Sequence, residues 1–244
     1  MRALILSDIH GNLEALTAVL EAAGTYDELW NLGDVVGYGG APNQVIETIR
    51  PLATLNVRGN HDRVCGGLTS TLGFNSVARA AALWTHDELT PENLAWLTAM
   101  PQGPLHPALE GVSCAHGSPL DEDQYILNVR DAWAPLQQMT TAITFFGHTH
   151  MQGGFAQNGP RWHEIYPKYH SRNDGDSWAL ELPAETRHLI NPGSVGQPRD
   201  YDWRAAFAIY DSDASCVTFR RVPYDVTTSQ GRILMAGLPE RLAA

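Results

Sequence analysis

Asp8-Ile9-His10, Gly33-Asp34, Gly59-Asn60-His61-Asp62, His116-Gly117 and Gly147-His148-Thr149-His150 occur in that order along a chain of 244 residues. Carboxylate, carboxamide and imidazole without thiolate is a donor mixture suited to Mn²⁺, Fe or Zn²⁺, and less to Mg²⁺ where several histidines bind. Most of these stretches follow an apolar run that reads as a strand. Strands of one sheet are therefore expected to deliver the donors to a common edge, which is how a two-metal hydrolytic centre is built. Asp8 and His10 are two apart on an expected extended segment, where side chains at i and i+2 share a face. Both can then reach one ion, and His148 and His150 repeat the spacing. Asp34 follows a glycine that permits a sharp turn, and its two oxygens suit it to bridge two ions. Asn60 adds a neutral carbonyl oxygen that limits the negative charge. Taken singly, each stretch has an ordinary reading as a turn, a loop or a backbone-bonded strand end. Five in this order point to a metal site.

The elements that must position these residues follow from periodicity. Arg2–Ser7 reads as a buried strand and Leu13–Ala23 as an amphipathic helix, with Leu13, Leu16, Val19 and Leu20 at helical spacing. Gly24 is a stop signal. A strand over Glu28–Leu32, a helix from Ala41-Pro42-Asn43 through Ile49 and a strand over Ala53–Val57 complete a β-α-β-α-β run. That rhythm means parallel strands with helical crossovers. Residues 63 to about 100 break it. Phe74–Trp84 and Pro91–Leu97 read as helices, expected as a helical cap inserted over the sheet edge. Strands are expected at Val112–Ala115 and Ala142–Phe146, with a helix at Asp131–Met139 between them. Beyond His150 the glycines and aromatics suggest antiparallel strands. Ala205–Tyr210 and Cys216–Val222 read as a hairpin, and the tail from Asp225 as a short helix. The whole of 1–244 is expected to be one domain.

Composition narrows the function classes. The chain is 43% hydrophobic and 18% charged, ordinary for a soluble globular protein. No apolar run reaches the ~18 residues a membrane span needs. The N-terminus runs straight into Asp8 and His10 and does not read as a signal peptide. A formal net charge of −11 argues against coating nucleic acid, which depends on Lys and Arg neutralising phosphate. It leaves room for a phosphorylated small molecule, a nucleotide among them, because two divalent ions make a locally positive site. Cys65, Cys114 and Cys216 form no close-spaced pair, which suits free thiols in a reducing cytoplasm. Nothing in the sequence addresses oligomeric state.

The ordered set D-x-H, G-D-x-x-G (Gly33 to Gly37), G-N-H-D, H and G-H-x-H resembles that of the calcineurin-like metallophosphoesterases. Within them it is similar to the small prokaryotic branch of YfcE-type phosphodiesterases. The resemblance spans residues 1 to about 222, including Asn191-Pro192-Gly193-Ser194-Val195. It implies an α/β fold, a four-layer α/β/β/α sandwich. It also implies two divalent ions, with Mn²⁺ the expected metal and Fe, Zn²⁺ or Ni²⁺ the alternatives. Asp8, His10, Asp34 and His150 would hold the first ion. Asp34, Asn60, His116 and His148 would hold the second, with Asp34 bridging. A hydroxide held by both ions would attack phosphorus, while His61, oriented by Asp62 and titrating near neutrality, serves the leaving group; Asn60 and His61 would also contact substrate. Tyr38 either lines the pocket or belongs to a flexible loop. Arg199 either meets a substrate phosphate or forms a surface salt bridge. The activity implied is a phosphodiesterase; a phosphomonoesterase, a protein phosphatase and a dinucleoside-polyphosphate hydrolase are the alternatives. A reading of another class is a non-catalytic scaffold like the retromer subunit of this fold. The intact set of candidate ligands argues against it.

Overall fold

In the computed structural model, which describes residues 1–243, two β-sheets lie face to face between helices. The first sheet begins as expected. β1 (Arg2–Leu6), β2 (Glu28–Asn31) and β3 (Leu55–Asn56) are parallel and are joined by α1 (Leu13–Ala23) and α2 (Pro42–Ile49). The late strands β10 (Ala205–Asp211), β11 (Cys216–Val222) and β8 (Asp176–Glu181) complete it antiparallel, in the order β3-β2-β1-β10-β11-β8. The second sheet is built from β4 (Val112–Cys114), β5 (Ile143–Phe145), β6 (Gly153–Asn158), β7 (Arg161–Ile165) and β9 (Arg187–Asn191), in the order β4-β5-β9-β6-β7.

Strand alternation divides the core. In β1, Leu4 and Leu6 face the helices, where they meet Leu16, Val19, Val45 and Ile46. Ala3 and Ile5 face the second sheet with Trp30, Phe145, Ile190 and Phe219. Both faces of β1 are covered, which is why it reads as an unbroken apolar run. On the far side of the second sheet, α6 (Val129–Gln138) buries Ala132 and Leu136 against Phe146, Phe155 and Leu189. The layers are thus helix, sheet, sheet, helix, as the family resemblance implies.

Local signals set the helix ends. The Asn12 side chain accepts from the Ala15 N–H to start α1, and Gly24, at φ 73°, ends it. α4 (Ser76–Glu88) starts later than Phe74 because the Asn75 side chain caps the Val77 and Ala78 N–H groups. α5 (Pro91–Ala99) is capped by Thr90. The segment expected as a cap supplies the short helix α3 (Asn60–Cys65) together with α4 and α5. Ala82, Leu89 and Leu97 from it join the same core as α1 and α2. α7 (Val226–Met235), capped by Asp225, closes the chain with a 3₁₀ turn at Glu240–Ala243. Among the described residues no helix is long and apolar enough to cross a membrane.

Trp30 is fully buried between the sheets, its ring 6.1 Å from that of Phe145 and 6.4 Å from that of Tyr210. Trp30→Ala is expected to cost about 3–5 kcal/mol, read as a lowered midpoint of denaturant unfolding. A cost below about 1 kcal/mol would show that the sheets close over the gap.

Candidate metal centre

The five stretches do converge, but from two sheets rather than one. β1, β2 and β3 of the first sheet lead to Asp8 and His10, to Asp34 and to Asn60. β4 and β5 of the second lead to His116 and to His148 and His150. Strand-end residues reveal nothing about which sheet a strand joins, so the expectation of a single edge failed there. The loops are laced by backbone bonds: Asp8 N–H to Gly33 O (2.9 Å), His10 N–H to Asp34 O (2.9 Å) and Gly147 N–H to His116 O (2.7 Å). The Asn191-Pro192-Gly193-Ser194 turn ties them further. Asn191 Nδ2 donates to Gly147 O at 2.9 Å and Ser194 Oγ to Asp8 O at 2.8 Å.

Strand alternation is also not what aims the paired ligands. Asp8, His10, Asp34, His148 and His150 lie past the strand ends with φ of 53°, 49°, 54°, 66° and 60°. This left-handed conformation costs a non-glycine residue about 1–2 kcal/mol, and strain of this kind collects at functional sites. Two glycines make room for the arrangement. A Cβ on Gly37 would stand 2.5 Å from His61 Nδ1, and one on Gly59 would collide with Asp34 Oδ1.

The histidine tautomers follow from the hydrogen bonds. His10 Nδ1 lies 3.1 Å from Val36 O, His116 Nδ1 2.9 Å from Leu32 O, His150 Nδ1 2.6 Å from Gln197 O and His148 Nε2 3.2 Å from Asp123 O. A carbonyl only accepts, so each of these nitrogens carries the hydrogen. In the neutral rings of His10, His148 and His150 the other nitrogen is a bare lone pair, and it points into the cluster together with Nε2 of His116. His10 Nε2 and His150 Nε2 are 3.1 Å apart; His116 Nε2 is 3.1 Å from both His148 Nδ1 and Asn60 Oδ1. Asp8 Oδ1 is 3.3 Å from His150 Nε2. Acceptors pressed together in a buried space repel unless a cation lies among them, and tethering the outer imidazole nitrogen is how proteins aim histidine at a metal. Asp8, His10, Asp34 and His150 can offer atoms within 4.8 Å of one another, and so can Asp34, His116 and His148. The donor set fits two divalent cations.

Asp34 belongs to both groups, with one oxygen rather than two. Oδ1 accepts from the His61 N–H at 2.8 Å. Oδ2 faces His10 Nε2 at 3.6 Å and His116 Nε2 at 3.4 Å. Burial holds the imidazoles of His10 and His150 well below their ordinary value and takes His148 down to about 3. His116 differs: burial opposes its charge, but the adjacent Asp34 carboxylate outweighs it and carries the ring up to about 10. For Asp34 itself burial acts upward, and the charge of His116 more than offsets it, holding the carboxyl well below the usual range. Burial pushes Asp8 up to about 7.

His61 opens α3 beside this cluster, buried, with ring centroids 4.9 Å from His10, 4.4 Å from Tyr38 and 4.6 Å from Phe74. Its Nδ1 has no partner among the described residues. Burial takes its imidazole down to about 4, so it is neutral at pH 7 rather than titrating there. Asp62 does not orient it. The Asp62 carboxylate accepts from the N–H groups of Asp34 (2.8 Å), Val35 (2.8 Å) and Gly59 (2.9 Å). Adjacent helical residues do not face each other; with His61 toward the cleft, Asp62 turns inward and braces the loop that carries Asp34.

Tyr38 is at the site, its ring 4.8 Å from His10, and Arg199 lies over it with Cζ 5.9 Å from the ring centre. The exposed Arg199 guanidinium bonds Gln197 Oε1 at 2.8 Å rather than a carboxylate. Two aromatic neighbours carried no signal in the sequence. Tyr125 stacks on His148 at 3.9 Å, and Phe74 packs on His61. Both come from irregular segments that no motif marks.

The fold and the ordered cluster define a phosphoesterase scaffold with buried Asp and His groups at its strand ends that could hold metal. The calcineurin-like phosphoesterase superfamily domain matches residues 1–215, and the chain belongs to that family. Members are metal-dependent hydrolases of phosphate esters, which fits the buried Asp and His groups here. The chain is 34% identical over 243 residues to an uncharacterised protein of Methanocaldococcus jannaschii, covering 98% of this chain and 94% of that one. It is similar to the crystal structure of a metallophosphoesterase from Sphaerobacter thermophilus, with a TM-score of 0.83 and 41% identity, covering 100% of this chain and 96% of that one. A hypothetical protein of Pyrococcus horikoshii shares the fold, with a TM-score of 0.77 at 21% identity over 99% and 96% of the two chains.

In the metal-stripped protein, ring NMR is expected to show His61 titrating near 4, assigned by its loss in His61→Gln. The folded value lies below the unfolded one of about 6.5, so the unfolded chain binds more protons between them. The stability this neutral ring contributes is therefore present above pH 6.5 and falls on acidification toward 4. A midpoint at 6 or above would mean that water reaches the ring.

Proposed function

We propose that this chain is a dinuclear metal-dependent phosphodiesterase acting on a phosphorylated small molecule. The observation that carries the reading is the set of four imidazoles, each tethered outward to a backbone carbonyl with its other nitrogen turned inward to the buried cluster around Asp8, Asp34 and Asn60. Asp8, His10, Asp34 and His150 would hold one ion, and Asp34, Asn60, His116 and His148 the other, with Asp34 Oδ2 shared. Bound there, divalent ions, Mn²⁺ foremost, would acidify a water and draw charge from the phosphoryl oxygens.

The remaining steps belong to the chain. His61 is neutral, so one ring nitrogen keeps an N–H that can hydrogen-bond the departing oxygen and stabilise its developing charge without giving up the proton. Its packing against Tyr38 and Phe74 restricts where the ring can sit. Asp62 acts on His61 only through the loop it braces. Arg199 supplies one exposed guanidinium for a non-bridging phosphate oxygen. One arginine beside a neutral histidine offers little positive charge beyond the metals, which supports a singly charged diester over a doubly charged monoester. The complete, buried ligand set speaks against a scaffold role. The free thiols Cys65 and Cys114, both buried, support a reducing, cytoplasmic setting.

Metal-stripped protein supplied with Mn²⁺ is expected to hydrolyse bis(4-nitrophenyl) phosphate faster than 4-nitrophenyl phosphate, and neither without metal. Preference for the monoester would remove the diesterase assignment. Bound Mn²⁺ with no turnover of either ester would return the scaffold reading. In a second test, Asp34→Asn is expected to lose both ions by elemental analysis. His61→Ala is expected to keep them while turnover falls roughly 10²–10³-fold. Loss of metal from the His61 variant would make that residue a ligand instead.

A further inference from the structure

A cavity of about 210 Å³ opens directly off the metal centre. His10 and Tyr38 form its inner end, and Trp203, Tyr224, Gln197 and Gln230 are among its walls. Three properties of this space bear on what it takes. First, among the described residues its lining contains no Asp, Glu, Lys or Arg. The walls thus offer no charged partner to a group entering the space, which suits an uncharged one. Second, the walls are aromatic and amide. Trp203 and Tyr224 stand 6.2 Å apart with their rings tilted by 49°, and Trp203 is 45% exposed. Gln197 Oε1 is occupied by Arg199, and Gln230 Nε2 donates to Ala243 O at 2.8 Å. That leaves an amide donor on Gln197 and an amide acceptor on Gln230. Third, the volume is smaller than the usual small-molecule site of roughly 300–1,000 Å³, so it suits part of a ligand: one or two flat rings.

The wall is also firmly placed. Arg232 on α7 bonds Glu14 on α1 at 2.6 Å, and a Cβ on Gly40 would stand 2.8 Å from the Arg232 backbone. α7 is thus packed against the loop that carries Tyr38. Tyr224, α7 and the final 3₁₀ turn all lie beyond residue 215, where the match to the family domain stops. The alignment with the Methanocaldococcus jannaschii relative takes in 98% of the chain. The cavity is therefore made in part by a C-terminal segment outside the family's common domain.

We propose that this cavity is the subsite for a nucleobase, so that the C-terminal segment selects nucleotide-bearing diesters for the phosphoesterase centre. The proposal rests on the phosphoesterase reading above. A nucleobase is flat, uncharged at neutral pH and edged with paired donors and acceptors. Aromatic side chains bind its face, and amides read its edge. The phosphate joined to it would lie toward His10 and Tyr38, the inner end of the cavity.

The test compares 4-nitrophenyl 5′-phosphodiesters of the four common nucleosides with the abasic sugar counterpart, using the Mn²⁺-loaded enzyme. The best nucleoside is expected to exceed the abasic ester at least tenfold in kcat/KM. Ser229→Trp, which fills the cavity from α7, is expected to bring that ratio to within threefold of one, and the milder Gln230→Ala to lower it severalfold. Circular dichroism melting shows whether each variant is folded. A wild-type ratio near one overturns the proposal, as does an unchanged ratio in folded Ser229→Trp. If no ester is hydrolysed, the phosphoesterase reading has failed and the subsite is judged separately. Calorimetric titration of the metal-free protein with the four nucleoside monophosphates and with deoxyribose 5-phosphate is then decisive. Binding of a nucleotide at least tenfold tighter than the sugar phosphate, lost in Ser229→Trp, supports the subsite, and equal binding overturns it.

Discussion

Four backbone carbonyls, those of Leu32, Val36, Asp123 and Gln197, dictate which nitrogen each of four imidazoles turns into the cluster. Because a carbonyl cannot donate, the ring nitrogen facing it must carry a hydrogen, and the other nitrogen points inward. Much of the surrounding structure serves to keep those carbonyls in place. Leu32 and Val36 flank Asp34 on the loop after β2, which the Asp62 carboxylate holds by several backbone N–H groups. Gln197 follows the turn at Asn191–Ser194 that ties the loops after β1 and β5 together. Asp123 belongs to a segment fastened to α3 through Arg63, which bonds the Asp123 carboxylate at 2.8 Å.

The same constraint accounts for the strained backbone. Among the described residues, six of the eight non-glycine positions with positive φ are Asp8, His10, Asp34, Tyr38, His148 and His150. Extended chain would carry the donors away from one another past the strand ends. The left-handed turns fold them back into a space between two sheets. The apolar core behind them, with Trp30, Phe145 and Phe219 between the sheets and Leu4, Leu16 and Val45 under the helices, holds the turns against their preference. Cluster geometry and fold stability are therefore coupled at this edge, since each group takes residues from both sheets and the packing that aligns the sheets sets the distances within it.

Around the cluster the chain is polar at His61 and Arg199 and uncharged along the adjoining cavity. His61, kept neutral by burial, and Arg199, exposed, flank Tyr38. The cavity beyond His10 continues the aromatic lining under α7. This division suits a centre whose ions handle the charge while irregular segments and the C-terminal helix handle recognition, as loops and appended elements commonly do.

The order and types of the ligands, the β-α-β-α-β opening and most element boundaries were legible because they rest on local rules. Apolar periodicity marks β1 and α1, side-chain caps mark their ends, and five motif stretches name the donors. The sequence by itself thus determined which residues gather in the buried cluster and which strands carry them. Tertiary structure decided what no local pattern encodes. It drew the ligands from two sheets, left Asp34 a single free oxygen, turned Asp62 from partner of His61 into brace of the Asp34 loop, and lowered the His61 pKa by burial. It also brought Tyr125, Phe74 and α7 to the site. The reason is physical: hydrogen-bond direction, burial and left-handed turns depend on groups distant in the chain, and residue types and spacing carry no record of them.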